Sequence, residues 1–223
     1  LIKVNGIKNI KSLNYNIPSD ISSSSFFIVL TALSKNSKLT IKNVNINPSR
    51  IGILKILKLM GIKIIIKNIK NYKGEKIADL FIKSKEVFKP IKCPTKLNSS
   101  AIDEFLLIFL IAAKANGISY FKGLSELNKK ESPRLIWGSK ILNKMGIKTI
   151  LKKDSIKIYG NPNLKVKKNI IIKNFLKDHR VFMSSVVAAL AFGGNWKIFD
   201  KDSVKTSFPT FISKIKSLGA KFN

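Results

Sequence analysis

The chain has 223 residues, and its 42 lysines and arginines against 12 aspartates and glutamates give a formal net charge of +30. This length can bury a sizeable core in one large or two small domains. One cysteine and one histidine exclude an internal disulfide and a cysteine- or histidine-based metal cluster.

The positive charge alone would suggest a polyanionic partner. The lysines, however, are spread through every segment beside isoleucine and asparagine, as AT-rich coding produces, and do not cluster with aromatic residues on one element. We therefore expect small anionic ligands and no nucleic-acid partner. Lysine interrupts every apolar run before it reaches the length of a membrane span, so we expect a soluble, cytoplasmic protein without a membrane partner.

The first segment, residues 1–17, alternates between apolar and polar residues, which predicts one or two strands ahead of Pro18. The chain opens without an initiator methionine or a signal peptide. We expect this segment to be the end of another domain, followed by a crossover, in a longer protein of which this chain is a fragment.

Three copies of one unit follow, at about 18–92, 93–167 and 168–223. The sequence pattern of each copy predicts, in this order, a helix, a strand, a charged or proline-containing turn, a second helix and a second strand. An aspartate precedes each first helix and a glycine closes each second helix: Asp20, Asp103 and Asp178, and then Gly61, Gly146 and Gly219. Landmarks that recur in the same order indicate an internal repeat, and each glycine fits the left-handed residue after a helix.

The second unit contains most of the candidate catalytic and binding residues. Its uncharged run from Phe105 to Ala113 predicts a buried helix, and Asp103 stands where a cap or first-turn acid would stand. Lys130, Glu131 and Arg134 lie within five positions before the second helix. If equivalent helix N-termini converge, they form a positively polarised surface that suits phosphate and carboxylate.

Six segments resemble the 5-enolpyruvylshikimate-3-phosphate synthase family in order and spacing, over nearly the whole chain. They are DISSSSF at 20–26, NPSRIG at 47–52, AIDEF at 101–105, KESPRL at 130–135, DHRVFM at 178–183 and TSFPTF at 206–211. The combination of KES-x-R with DHR-x-x-M is specific, whereas either motif alone is weak.

The resemblance implies an α/β fold, a pseudo-threefold domain of repeated βαβαββ units that faces a second domain across a substrate cleft. Residues 18–223 would form this domain without its N-terminal strand, and the N-terminal half of the protein would be missing. The family transfers the enolpyruvyl group of phosphoenolpyruvate to the 5-hydroxyl of shikimate 3-phosphate, in aromatic amino-acid biosynthesis. We expect a monomeric full-length enzyme, no metal or organic cofactor, and negligible activity of this chain alone.

The resemblance also assigns roles to individual residues. Asp103 would accept the proton of the 5-hydroxyl, and Glu131 would donate a proton to the methylene carbon. Arg134 and Arg180 would hold phosphoenolpyruvate. Lys130 would contact shikimate 3-phosphate, and His179 would be a polar group near the substrates.

Simpler interpretations compete with these roles. Asp103 could be only a helix cap, and Lys130, Glu131 and Arg134 could be a solvated first turn with an i, i+3 ion pair. His179 could be packed and neutral. Pro133 replaces the acidic residue that is usual before the arginine, and we expect Arg134 to keep its position, because proline is tolerated in a first helical turn.

Three other functions remain open. The UDP-N-acetylglucosamine enolpyruvyl transferases share the fold, and their reactive cysteine would lie in the missing half, so Cys93 does not discriminate. A basic nucleic-acid-binding or cyclase-like module is a second alternative. A pseudogene product without independent function is a third.

Overall fold

The computed structural model describes residues 1–6, 12 and 14–222. Three helices that contact one another lie at the centre: α1 (Ile21–Leu33), α3 (Phe105–Ala113) and α5 (His179–Phe192). Every residue of α3 is buried. A helix that is apolar on all faces has to be enclosed on all sides. Besides α1 and α5, helix α3 contacts α2 (Gly52–Leu59), α4 (Arg134–Met145) and strand β6 (Ile156–Tyr159). The predicted core helix is confirmed with the same bounds.

The first two units share one topology. The first contains β1 (Lys38–Asn45), α2 (Gly52–Leu59), β2 (Ile64–Tyr72) and β3 (Glu75–Lys83). The second contains β4 (Ile118–Phe121), α4 (Arg134–Met145), β5 (Thr149–Leu151) and β6 (Ile156–Tyr159). Their sheets have the orders β1-β3-β2 and β4-β6-β5, and all neighbouring strands are antiparallel.

A short extended segment precedes the central helix of each of these units and pairs in parallel with the strand that follows it. The parallel bridges join Ser19 to Val44 and Lys92 to Tyr120. Together with the sheets, they complete the βαβαββ order predicted for the repeat.

The third unit is built differently after its first helix. Strand β7 (Asn169–Ile172) pairs in parallel with β8 (Asn195–Ile198), and helix α6 (Phe211–Ser217) follows. No strand follows α6 within residues 218–222, so the predicted final strand is wrong for that part. In the described residues, β8 therefore lacks the antiparallel neighbour that β3 and β6 provide in the other sheets.

The ends of the helices agree with the sequence pattern. Asp20 and Asp178 are the N-caps of α1 and α5, and their carboxylates accept backbone N–H groups of the first turn. The three glycines that follow the second helices all have a positive φ: Gly61, Gly146 and Gly219, at 84°, 92° and 98°. The three glycine ends and the aspartate caps of α1 and α5 are confirmed, whereas Asp103 does not cap α3.

The segment before Pro18 differs from its prediction. Residues 1–6, 12 and 14–17 form no strand. The remainder of the predicted strand region, residues 7–11 and 13, lies outside the described residues. A search of the described chain for a helix long and apolar enough to span a membrane found none.

Gly160 allows the end of α3 to lie directly over β6. A Cβ atom at this position would be 2.2 Å from the Ala115 carbonyl oxygen and 2.6 Å from that of Ala112. We expect Gly160→Ala to lower the free energy of unfolding by about 3 kcal/mol, measured by urea denaturation, because backbone has to move.

Gly74→Ala is the matched control. Gly74 has a φ of 90° but no atom within 4 Å of the added Cβ, so only backbone strain of about 1 kcal/mol is expected. Equal losses in the two variants would contradict the close approach of α3 to β6.

Candidate active site

The N-termini of the three central helices converge at one place, as the repeat predicted. The Ser22 hydroxyl of α1 donates to the Glu104 carboxylate at the start of α3, at 2.6 Å. Nη1 of Arg180, in the first turn of α5, donates to the Asp103 carbonyl oxygen at 2.9 Å. Side chains from different units thus meet in a single cluster.

A buried arginine lies at the centre of this cluster. Arg134 is the first residue of α4, and Pro133 occupies the cap position before it. Its side chain is 2% exposed. Nε donates to Asp178 at 2.8 Å, Nη1 donates to Asp103 at 3.0 Å, and Nη2 donates to Glu131. Burial of this cation is tolerated because carboxylates surround it.

Asp103 is not a helix cap. The cap position of α3 belongs to Glu104, and Asp103 lies in the turn before it with 32% of its side chain exposed. Lys130 Nζ is 3.2 Å from its carboxylate. Burial acts to raise the pKa of Asp103, but the charges of Arg180, Lys130 and Arg134 outweigh burial and lower the pKa below its ordinary value. The carboxylate is therefore ionised at neutral pH.

Two other carboxylates bind the Arg134 guanidinium, and both accept from Nη2, Asp178 at 3.4 Å. Glu131 is half exposed, whereas Asp178 is fully buried. Asp178 also accepts the Ser132 hydroxyl at 2.8 Å and caps α5. Burial acts to raise the pKa of Asp178, and the hydrogen bond and charge of Arg134 with the Ser132 hydroxyl outweigh it, so the pKa is lowered.

Arg180 and His179 occupy the first turn of α5. Within the part of the chain that the structure describes, Nη1 is the only Arg180 side-chain nitrogen that donates a hydrogen bond. The guanidinium of Arg180 therefore keeps donors for a ligand. Burial, and then the charge of Arg180, lower the pKa of His179, which makes a neutral imidazole the form at pH 7.

All six residues proposed from the sequence thus lie in or beside one cluster. Sequence reasoning missed the roles of Ser132, Asp178 and Glu104, of which Asp178 had been assigned only a structural cap. All three residues lie in motifs, Ser132 in KESPRL, Glu104 in AIDEF and Asp178 in DHRVFM. The sequence alone does not show that they contact Arg134 or Arg180.

Three other polar or reactive side chains are not among the contacts of Arg134 or Arg180 in the described residues. Lys205, next to Thr206, pairs with Asp202 at 2.8 Å on the surface. Arg50, the repeat counterpart of Arg134, pairs with Asp20 at 3.2 Å and is about half exposed. Burial raises the pKa of the Cys93 thiol to about 11, so this thiol is not ionised at neutral pH.

The fold defines the structural class of the protein. An α/β domain of βαβαββ units is shared with the enolpyruvyl transferase NikO from Streptomyces tendae, with a TM-score of 0.69 and 15% identity over 90% of this chain and 43% of that one. This likeness shows the fold alone.

More similar proteins define the family. The model of the family "EPSP synthase (3-phosphoshikimate 1-carboxyvinyltransferase)" matches residues 1–215. The 3-phosphoshikimate 1-carboxyvinyltransferase of Ruthia magnifica is 40% identical over 93% of this chain and 47% of its own length. The EPSP synthase structure from Acinetobacter baumannii has a TM-score of 0.85 and 36% identity over 90% of this chain and 46% of that one.

This chain belongs to the EPSP synthase family. It spans about half the length of the curated relatives it matches. The relative from Petrotoga mobilis, for example, is 37% identical over 95% of this chain and 49% of its own length.

Removing the charge of Asp178 tests the buried ion pair. We expect Asp178→Asn to lower the free energy of unfolding by about 3 kcal/mol, because the Arg134 guanidinium loses a buried partner. Asp20→Asn makes the same change at the equivalent cap of α1, and we expect less than about 0.5 kcal/mol, since asparagine caps helices as well as aspartate does. Similar urea midpoints for the two variants would contradict the pairing.

The pH dependence of stability gives a second test of Asp178. Its pKa in the folded chain is below the ordinary value of 3.8, so the unfolded chain takes up the proton first as the pH falls. Stability from this group is therefore present above about pH 4 and is lost as the pH drops through the folded pKa. Urea titrations between about pH 6 and pH 2.5 should show a smaller loss in Asp178→Asn than in the wild type. Parallel curves would argue against the lowered pKa.

Proposed function

We propose that this chain supplies one half of a 3-phosphoshikimate 1-carboxyvinyltransferase, which transfers the enolpyruvyl group of phosphoenolpyruvate to the 5-hydroxyl of shikimate 3-phosphate. One observation carries the proposal. Asp103 and Glu131 bind adjacent nitrogens of the single buried guanidinium of Arg134. Two carboxylates fixed side by side suit a reaction that needs one proton acceptor and one proton donor.

The first chemical step is an addition. The 5-hydroxyl oxygen bonds to C2 of phosphoenolpyruvate, its proton passes to Asp103, and C3 takes a proton from Glu131. The hydroxyl becomes strongly acidic as its oxygen bonds to carbon, so a carboxylate of low pKa can accept the proton.

The second step is an elimination. The bond between C2 and the phosphate oxygen breaks, phosphate leaves with the electron pair, and the methyl group returns its proton to Glu131. Half of the Glu131 side chain is exposed to solvent, so it has room to move between Arg134 and the methylene carbon.

Cations of the cluster would bind the substrate anions. Arg180 keeps unused donors, and Lys130 is one-third exposed beside Asp103. Nη2 of Arg134 can receive an anion only when Glu131 leaves it, so substrate binding would release Glu131 from its ion pair, and the exposed carboxylate would take up a proton from solvent before it donates one to C3. Three cations face four carboxylates here, so we propose that the other half of the cleft contributes further positive charge.

The same reasoning extends to the domain arrangement. We propose that residues 18–223 form the domain, that residues 1–17 lead into it from the other half, and that a strand from that half pairs with β8. The edge of β8 has no antiparallel neighbour among the described residues. A cavity of about 600 Å³ lies along this edge, between Trp196, Leu190 and Phe222. An extended segment can bind such an edge through its main chain and fill the apolar groove.

The alternatives receive less support. The family match favours shikimate 3-phosphate over a UDP-sugar as the acceptor. A nucleic-acid-binding module would require oligonucleotide affinity that survives physiological salt, and the slope of affinity against salt would reveal it.

Reconstitution tests the proposal directly. We would fuse this chain to the N-terminal half of the Ruthia magnifica relative and measure phosphate release. We expect release only when both phosphoenolpyruvate and shikimate 3-phosphate are present, and a negligible rate from the 223-residue chain alone, because half a cleft cannot bind both substrates. A folded fusion without activity would overturn the proposal.

Substitutions in the fusion test the two roles. We expect Asp103→Ala and Glu131→Gln each to lower kcat by about 100-fold or more, with the chain still folded, since each removes a proton-transfer group. Asp202→Asn, at an exposed surface pair, is the control and should leave kcat unchanged. Near-wild-type rates in both active-site variants would remove the acid–base assignment.

A further inference from the structure

One carboxylate in the cluster is not used by the proposed reaction. Glu104 is 3% exposed, and although it occupies the cap position of α3 it makes no side-chain bond to its own helix. Burying an ionisable side chain is unfavourable unless specific partners compensate. Burial accordingly raises the pKa of Glu104. Such a residue calls for an explanation in the contacts it makes.

Those contacts reach to both neighbouring central helices. The Ser22 hydroxyl of α1 donates to Glu104 Oε1 at 2.6 Å, and Arg50 Nη2 in turn donates to Ser22 Oγ at 3.1 Å. On the other side, Nη1 of Arg180 in α5 lies 3.5 Å from the same Glu104 oxygen. Glu104 thus connects a fixed hydroxyl to the arginine that retains free donors.

We propose that Glu104 is a positioning residue, which holds the Arg180 guanidinium so that its remaining N–H groups are available to the anionic substrate. This inference rests on the proposed function. Nη1 of Arg180 is held between the Glu104 carboxylate and the Asp103 carbonyl oxygen. Fixing one nitrogen of a planar guanidinium restricts its rotation and leaves the other edge for a bidentate ligand.

The alternative partner of Arg180 explains why position matters. The Asp103 carboxylate is already close, with Oδ2 3.9 Å from Nη2 of Arg180. Without the charge of Glu104, the guanidinium would turn toward Asp103 and lose the edge that the substrate needs. At saturating substrate the Arg180 guanidinium would return to the substrate. Loss of the Glu104 charge would therefore weaken substrate binding more than it slows the chemical step.

The kinetic test uses the reconstituted enzyme with Glu104→Gln, which keeps the shape and removes the charge. We expect the KM for phosphoenolpyruvate to rise by about tenfold while kcat changes by less than about threefold. Glu75→Gln is the matched control, because Glu75 also accepts a side-chain hydrogen bond, from Asn45 at 2.9 Å, but contacts no arginine. An unchanged KM in Glu104→Gln, in an active enzyme, overturns the inference, as does an equal rise in the control.

A second measurement separates this inference from the proposed function. Glu104→Gln, Arg180→Gln and the double variant are made in the 223-residue chain, and their urea midpoints are compared. If Glu104 holds Arg180, the double variant loses less stability than the sum of the two single losses. Additive losses overturn the inference even in an active enzyme. If the wild-type fusion is inactive, the proposed function fails, and this comparison alone decides whether Glu104 holds Arg180.

Discussion

The cluster depends on the buried charge of Arg134. An isolated guanidinium in the protein interior would be strongly unfavourable, so its position requires the surrounding carboxylates to be brought there together. Asp178 comes from the cap of α5, Asp103 from the turn before α3, and Glu131 from the turn before α4. Three separate helix ends are thus fixed relative to one another by a single side chain.

The internal repeat makes this specialisation visible. In the first unit the equivalent pair, Arg50 and Asp20, is largely solvated, and a pair of that kind contributes little to stability. In the second unit Arg134 pairs with Asp103 of its own unit and, in addition, with the cap aspartate of the third unit. The same two residue types therefore make an exposed ion pair within the first unit and a buried ionic centre between the second and third units.

Much of the fold could be predicted from local patterns. The run from Phe105 to Ala113 has no polar residue, and the glycines after each second helix need a positive φ, so these features follow from the chain itself. The gathering of the six site residues also followed from the motifs. Tertiary contacts could not be read in this way: that carboxylates surround Arg134 depends on Asp103 and Asp178, which are 31 and 44 positions away. That Glu104 and not Asp103 occupies the cap position of α3 was also not predictable from residue type alone.

The third unit was mispredicted because its sequence imitates the other two up to α6, whereas the strand expected after α6 does not form in residues 218–222. Likewise, the alternation before Pro18 suggests strands, but a strand needs a neighbour for its backbone groups, and the described residues of that segment have no sheet partner.

The complete enclosure of α3 has a consequence for folding. In solenoid repeats each unit contacts only its neighbours, and such arrays can gain or lose units. Here the central helix of one unit is covered by α1 and α2 of the first, α5 of the third, and its own α4 and β6. The second unit alone would expose to water the apolar faces of α3 that α1, α2 and α5 cover, so the three units are expected to fold cooperatively, as one body.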